Sequence, residues 1–134
     1  MKKFLYLILI MPLIFFCGFG WKEKPYIIMS NGTVSKETIN RLERVFIAGQ
    51  RINYAIIAPD GFKYDAIRLQ ISKRDEKTSN WGFSIIQSRD IFIDKTADIY
   101  NDYILIQRPG RYIIQFFYLN NKDYPFIHRE FLVQ

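Results

Sequence analysis

The sequence predicts an all-β fold, a sandwich of two antiparallel sheets with seven to nine strands, and three observations support this. Apolar and polar residues alternate along several short segments, for example from Ala66 to Lys73. Turn-forming residues such as Pro59-Asp60-Gly61 separate the segments at roughly eight- to fifteen-residue intervals. Strand–helix–strand alternation is not seen, which disfavours a parallel sheet.

The first half of the predicted domain begins with a short strand that closes at the turn residues Ser30-Asn31-Gly32-Thr33. The segment Ser35 to Arg44 is interpreted as an irregular or edge-strand connection rather than one or two helical turns. In the strand Ala66 to Lys73, Ile67, Leu69 and Ile71 should face the core, and the residues between them should face water. The predicted strands of this half are Tyr26–Met29, Arg44–Ile47, Arg51–Ala58 and Ala66–Lys73.

The second half follows a charged loop from Arg74 to Asn80. Its longest strand alternates so that Tyr112, Ile114 and Phe116 share one face. Polar connections at 94–98 and 120–123 and the Arg108-Pro109-Gly110 turn separate the remaining segments. The predicted strands of this half are Trp81–Gln87, Asp90–Ile93, Tyr103–Gln107, Arg111–Leu119 and Phe126–Val133.

Two stretches resemble immunoglobulin-like and fibronectin-like domains over residues 25–134. In Pro109-Gly110-Arg111-Tyr112, a Gly stands two residues before a Tyr at the start of the penultimate strand. The resemblance implies that this Tyr hydroxyl bonds back to the upstream backbone. Phe46-Ile47-Ala48-Gly49-Gln50-Arg51-Ile52 is similar to the entry into the second core strand of bacterial sandwich domains. The alternative fold is a small closed barrel such as an OB-fold, which needs only five strands.

Length and composition limit the possible functions. The 134 residues suffice for one domain and a targeting segment, and 49% hydrophobic and 17% aromatic residues argue against disorder. The formal net charge is +6, and without Lys2 and Lys3 there remain 17 basic and 13 acidic residues, or +4. This is below the charge density of a dedicated nucleic-acid binder. A single cysteine, Cys17, excludes an internal disulfide.

The first residues have the pattern of a secretory signal peptide. Met1-Lys2-Lys3 is positively charged, and the thirteen residues from Phe4 to Phe16 are apolar. At ~1.5 Å per residue this run is about 20 Å long, short of a ~30 Å bilayer core. We therefore expect residues 1–17 to be a signal peptide, 18–25 a tether and 26–134 the sandwich domain.

Cys17 ends the apolar run, and Leu13-Ile14-Phe15-Phe16-Cys17-Gly18 resembles the end of a bacterial lipoprotein leader. The resemblance implies a diacylglycerol on Cys17 and a membrane-anchored location in the cell envelope. Because Phe16 is bulkier than the residue usual before that cysteine, two alternatives stay open. An ordinary signal peptidase could cut after Gly20, giving a periplasmic or secreted protein, or the segment could remain as an uncleaved anchor.

Few residues offer catalytic or metal-binding chemistry. His128, the single histidine, alternates with its neighbours as a strand surface residue does. Without a His/Cys cluster a zinc site is excluded on ligand count. The aspartates Asp90, Asp94, Asp98 and Asp102 lack the Gly-centred spacing of an EF-hand. We expect no enzymatic activity, no metal and no cofactor.

Aromatic residues are in excess and suggest a binding surface. If one face of the longest strand is core, the opposite face carries an apolar patch unless a loop or a second copy covers it. The residues of this predicted surface are Ile113, Gln115, Phe117, Tyr124 and Phe126. A second possible surface is a basic strip of Arg68, Lys73, Arg74 and Lys77, which a solvated face would also explain.

The sequence therefore predicts a small exported envelope protein, a lipid-anchored binding module without catalytic activity. Its expected partners are the membrane, through Cys17, and a protein or an envelope polymer; nucleic acid is not expected. The alternative is an enzyme inhibitor or accessory subunit that inserts the loop Lys73–Asn80 or Asn120–Pro125 into its target.

Overall fold

The computed structural model describes residues 22–34, 43–75 and 82–134. They form eight strands: β1 (Tyr26–Ser30), β2 (Val45–Phe46), β3 (Arg51–Ile57), β4 (Ala66–Arg74), β5 (Phe83–Phe92), β6 (Ile99–Leu105), β7 (Gly110–Tyr118) and β8 (Ile127–Val133). The leader with Cys17, most of the predicted connection at 35–44 and Lys77 lie outside the described residues. No helix in the described ranges is long and apolar enough to span a bilayer.

The strands form two sheets, one with the order β1-β3-β6 and the other with the order β2-β8-β7-β4-β5. The predicted antiparallel sandwich is therefore confirmed. One sheet corresponds to the A, B and E strands of an immunoglobulin-like domain, and β8, β7, β4 and β5 correspond to its G, F, C and C′ strands. The sequence resemblance to this architecture is thus supported by the strand order.

The core lies between the inward faces of the two sheets, as the alternation in β4 predicts. Ile67, Leu69 and Ile71 are fully buried there, opposite Ile52 and Ile56 of β3. Because successive side chains of a strand point to opposite faces, one sequence pattern fixes both the core and the solvent side. The described residues contain no cysteine and therefore no disulfide. Burial of these large apolar side chains is thus the main contribution to stability.

The turn residues of the sequence take their expected roles. The Tyr112 hydroxyl donates a hydrogen bond to the Arg108 carbonyl at 2.6 Å, the upstream backbone contact that the immunoglobulin-like resemblance implies. The Gly61 amide donates to the Ala58 carbonyl at 2.8 Å and closes the Pro59-Asp60 turn. Gly61 has φ +75°, a conformation that glycine adopts without steric cost.

Three strand predictions need correction. β5 is one strand of ten residues rather than the two predicted at Trp81–Gln87 and Asp90–Ile93. β6 begins at Ile99, four residues before the predicted start, because all seven of its residues pair with β3. The short β2 pairs with β8 in parallel, so this pair departs from the antiparallel prediction.

Arg129 of β8 connects the two sheets on the side where β1 lies. Its guanidinium donates to the Ile27 carbonyl at 3.2 Å and to the Glu43 carbonyl at 3.2 Å. Burial lowers the pKa of Arg129, and the nearby Arg44 lowers it further, yet an arginine remains charged in proteins. One charged side chain therefore holds the backbone on both sides of the segment 35–42.

Candidate functional site: an open edge of the sandwich

The longest strand of the domain, β5, lies at the edge of the five-stranded sheet. Among the described residues it pairs only with β4, from Ala66–Phe92 to Arg74–Phe83. An edge strand turns about half of its backbone N–H and C=O groups away from its single neighbour. At the opposite edge, β2 has only two residues. Within the described residues, the sheet thus has one short edge and one long edge that no other strand pairs with.

The open edge carries large apolar side chains that face solvent. Phe92 is 82% exposed and Ile85 is 60% exposed, while Phe83 and Ile86 are also exposed. Natural edge strands often carry Lys or Pro, which discourage pairing with another chain. β5 contains neither of these residues. A strand with exposed apolar side chains and without Lys or Pro can accept a partner strand.

A β-bulge in β5 allows both ends of the strand to present apolar residues on the same face. Gln87 pairs with Ile71 and Ile85 pairs with Ser72, so Ile86 is an additional residue without its own partner in β4. The extra residue reverses the alternation of faces. Phe83 and Ile85 therefore lie on the same outer face as Phe92. In a regular strand they would lie on the opposite face, because an odd number of positions separates each of them from Phe92.

The edge strand of the other sheet, β6, lies across the sandwich from β5, and a salt bridge joins the two. Arg89 of β5 points inward, and its Nη2 is 2.9 Å from Oδ2 of Asp102 in β6. The same oxygen accepts a hydrogen bond from the Tyr100 hydroxyl at 3.1 Å, and Oδ1 accepts one from the Tyr103 amide at 2.8 Å. Because both oxygens of Asp102 are engaged, we interpret this carboxylate as a structural link between the edges.

Tyr54 of β3 lies beside this link, with its ring centroid 6.4 Å from that of Tyr100. Burial raises the pKa of Tyr54 far above its ordinary value, and the nearby Asp102 carboxylate raises it further. Burial, together with Asp102, also raises the pKa of Tyr100 to about 12. Both hydroxyls therefore stay protonated at neutral pH. Tyr54 Oη and Arg89 Nε are the two buried side-chain polar atoms of the described residues without a hydrogen-bond partner.

Exposed apolar side chains concentrate on the two edge strands. Of the eleven large hydrophobic side chains exposed among the described residues, seven belong to β5 and β6. The three on β6 lie on the outer face of the other sheet, because the alternate residues Tyr100, Asp102 and Ile104 face β5 across the sandwich. The four on β5 lie on the strand that offers unpaired backbone groups, and they are Phe83, Ile85, Ile86 and Phe92. We refer to these four residues as the open edge.

The binding surface predicted from the sequence is distributed differently. Phe117 is only 6% exposed, and it pairs with Arg68, whose guanidinium binds Asp90 at 2.7 Å. Ile113 and Gln115 are half-buried on the same face of β7. Phe126 stacks on Tyr118 at 4.0 Å between ring centroids, and Tyr124 is 77% exposed beyond the end of β7. These five residues therefore do not form one continuous open patch.

The predicted basic strip is also divided. Arg68 is neutralised by Asp90, and this hydrogen bond and charge hold the pKa of Asp90 below its usual range. Lys73 and Arg74 line a separate cleft of about 520 Å³ together with Ser84, Ile86 and Gly110. The Lys73 ammonium lies 5.9 Å from the centroid of the Tyr112 ring. Arg68, Lys73 and Arg74 are close in sequence, but they do not form a single basic surface.

The remaining candidates for chemistry lie apart from one another. His128 is exposed on β8 and pairs with Gln115 of β7. Asp94 accepts hydrogen bonds from the Thr96 hydroxyl at 2.6 Å and from its amide at 2.9 Å, and these lower the pKa of Asp94. Within the described ranges, no three His, Cys, Asp or Glu side chains converge as metal ligands would.

Sequence reasoning missed the open edge, although it contains a local signal. Phe83, Ile85, Ile86 and Phe92 are apolar residues at the two ends of the strand, but the alternation is interrupted by Ile86 and by the inward Arg89. This interruption favoured an interpretation as two short strands. The edge position itself depends on the order of strands in the sheet, which sequence periodicity does not contain.

No protein-family model matches this sequence, and no curated protein is detectably similar to it. Among solved structures, the soluble domain of PmoD from Methylocystis sp. ATCC 49242 (Rockwell) is similar with a TM-score of 0.51 and 13% identity. The match covers 87% of this chain and 95% of that one. The likeness is one of fold. A β-glucosidase from Kluyveromyces marxianus in complex with glucose matches at a TM-score of 0.41 and 12% identity, over 83% of this chain and 14% of the enzyme.

Proposed function

We propose that this protein is a lipid-anchored interaction module of the cell envelope, without catalytic activity, that docks a protein partner through the open edge. The observation that carries the docking proposal is the set of four exposed apolar side chains on β5, a strand that pairs on one side only within the described residues. Exposed apolar surface of more than single scattered residues is typical of protein–protein contact. The extracytoplasmic location is supported by the signal-like leader.

A protein partner is favoured over an envelope polymer because the open edge combines apolar side chains with unpaired backbone groups. An extended polypeptide can add to such an edge, with main-chain hydrogen bonds for affinity and side-chain contacts for specificity. The charged residues of β5 are already engaged, Arg89 with Asp102 and Asp90 with Arg68. Few charged groups therefore remain on this strand to bind an ionic polymer.

Docking through the open edge predicts that Ile85→Ser combined with Phe92→Ser abolishes partner capture. Both side chains are exposed, so the double variant should fold like the wild type while the contact area is lost. The measurement is capture of envelope proteins from solubilised extract by the immobilised full chain. Far-UV circular dichroism of each variant checks the fold.

Tyr124→Ser is the matched control because Tyr124 is similarly exposed but lies away from the open edge. The control should retain the partner. If Tyr124→Ser loses the partner and the edge variant keeps it, the alternative function is supported, in which the loop Asn120–Pro125 inserts into a target.

The lipid anchor predicts that metabolic palmitate labelling marks the wild-type chain and that Cys17→Ser removes the label completely. Cys17 is the only thiol in the chain, so a thioether-linked lipid has no other site. A wild-type chain that carries no label would exclude the anchor and leave an ordinary cleaved or uncleaved leader. This outcome would not bear on the open edge.

A further inference from the structure

Resting on the proposed docking function, we propose that the occupant of the open edge is a second copy of this chain, paired antiparallel through β5 about a two-fold axis at Ser88. A symmetric contact between identical strands requires that the strand be complementary to itself. The register of β5 against β4 and the placement of its charges meet this requirement.

The β-bulge of β5 sets residues of the same face opposite each other in the proposed pair of strands. If Ile86 is left out of the pairing, as it is in the contact with β4, an axis at Ser88 sets Ile85 against Asp90 and Phe83 against Phe92 of the second copy. Every pair then joins side chains of the same face, because the bulge lies equally far from the axis in both copies. Without the bulge, Phe83 and Phe92 would lie on opposite faces.

The charged residues of β5 do not oppose the proposed pairing. In this register Arg89 lies opposite Gln87 of the second copy, and Asp90 lies opposite Ile85 of the second copy. Like charges therefore never face each other across the contact, and each charge keeps its salt bridge within its own chain. The small Ser88 side chain meets its own symmetry copy at the axis. No charged group loses its partner when the strands pair.

Pairing also brings apolar rings together. Phe92 is 82% exposed and Phe83 is 44% exposed in the single chain. The register sets each of these rings beside its counterpart on the second copy, so ring surface is removed from water at both ends of the contact.

The test uses charge at the axis, with the full chain in detergent analysed by sedimentation velocity. The wild type should form a concentration-dependent dimer. Ser88→Lys and Ser88→Glu should each be monomeric, since each variant sets two like charges opposite each other. An equimolar mixture of the two should recover the dimer. Because Ser88 is exposed, neither change disturbs the core. A Gln107→Lys variant, exposed outside the strand, should sediment as the wild type does.

The register is tested by cysteine cross-linking. Chains with Phe83→Cys and chains with Phe92→Cys, carrying different tags, should form a mixed disulfide when co-expressed, because these positions face each other across the contact. Either variant alone should form none beyond the level that Cys17 gives in the wild type. A Tyr124→Cys chain, with similar exposure, should not cross-link to either.

A monomeric wild type, a dimer that tolerates Ser88→Lys, or cross-linking without preference for the mixed pair would overturn the proposal. A monomer that still captures a protein partner through Ile85 and Phe92 would leave the proposed function intact and refute only the second-copy inference. A dimer with the predicted register, and without further partners, would identify self-association as the use of the open edge.

Discussion

Phe116→Ala is expected to destabilise the domain by about 3–5 kcal/mol, the cost typical of truncating a fully buried aromatic side chain. Phe116 is fully buried between the sheets, and its ring centroid lies 5.5 Å from that of Tyr54. Truncation removes the apolar contacts and leaves a cavity next to the buried Tyr54 ring. Domains of this size are stable by only about 5–15 kcal/mol, so much of that stability would be lost.

Urea denaturation of the full chain, followed by far-UV circular dichroism, measures this change. Tyr124→Ala is the control because it removes an aromatic ring that is 77% exposed and lies away from the open edge. The control should change the free energy of unfolding by less than about 0.5 kcal/mol. Equal effects of the two substitutions would mean that the inward face of β7 is assigned incorrectly.

Gly61→Ala is expected to cost at least about 2 kcal/mol. A Cβ atom at this position would lie 2.6 Å from the backbone oxygen of Lys95, and φ is +75°. The same oxygen accepts the hydrogen bond of the Phe62 amide at 2.8 Å, so it cannot withdraw without breaking that bond. Strain in the turn and displacement of the connection between β5 and β6 therefore both lower the stability of the Gly61→Ala variant.

Gly32→Ala is the control for this prediction. No heavy atom lies within 4 Å of the corresponding Cβ position. This substitution should change the midpoint of thermal unfolding little, or raise it slightly by reducing the freedom of the unfolded chain. If both alanine variants melt at the wild-type temperature, the close approach of Gly61 to Lys95 does not exist in solution.

The sequence predicts those parts of the fold that depend on local alternation and turn chemistry. The inward residues of β4 and the hydrogen bond of Tyr112 follow from patterns of a few residues. The continuity of β5 was missed because Arg89 is inward yet charged, and its partner Asp102 lies on another sheet. A salt bridge between distant segments leaves no periodic signal in either one.

The candidate site was predicted less well than the fold. The excess of aromatic residues predicts a binding surface on β7, which is a central strand with a neighbour on each side. Of the predicted residues on this strand, Phe117 is 6% exposed, and it pairs with Arg68 of β4. Surface aromatics are free to bind at an edge, and the identity of the edge is a property of the assembled sheet.

The position of Arg129 has a consequence for how this domain can vary. Its guanidinium holds the Ile27 and Glu43 carbonyls, and the Glu43 carboxylate accepts the Asn31 amide at 2.7 Å. The two ends of the intervening stretch are thus fixed to the sandwich by contacts that do not involve residues 35–42. A substitution that removes the Arg129 guanidinium would free both carbonyls at once, so position 129 cannot vary independently of the two segments that it holds.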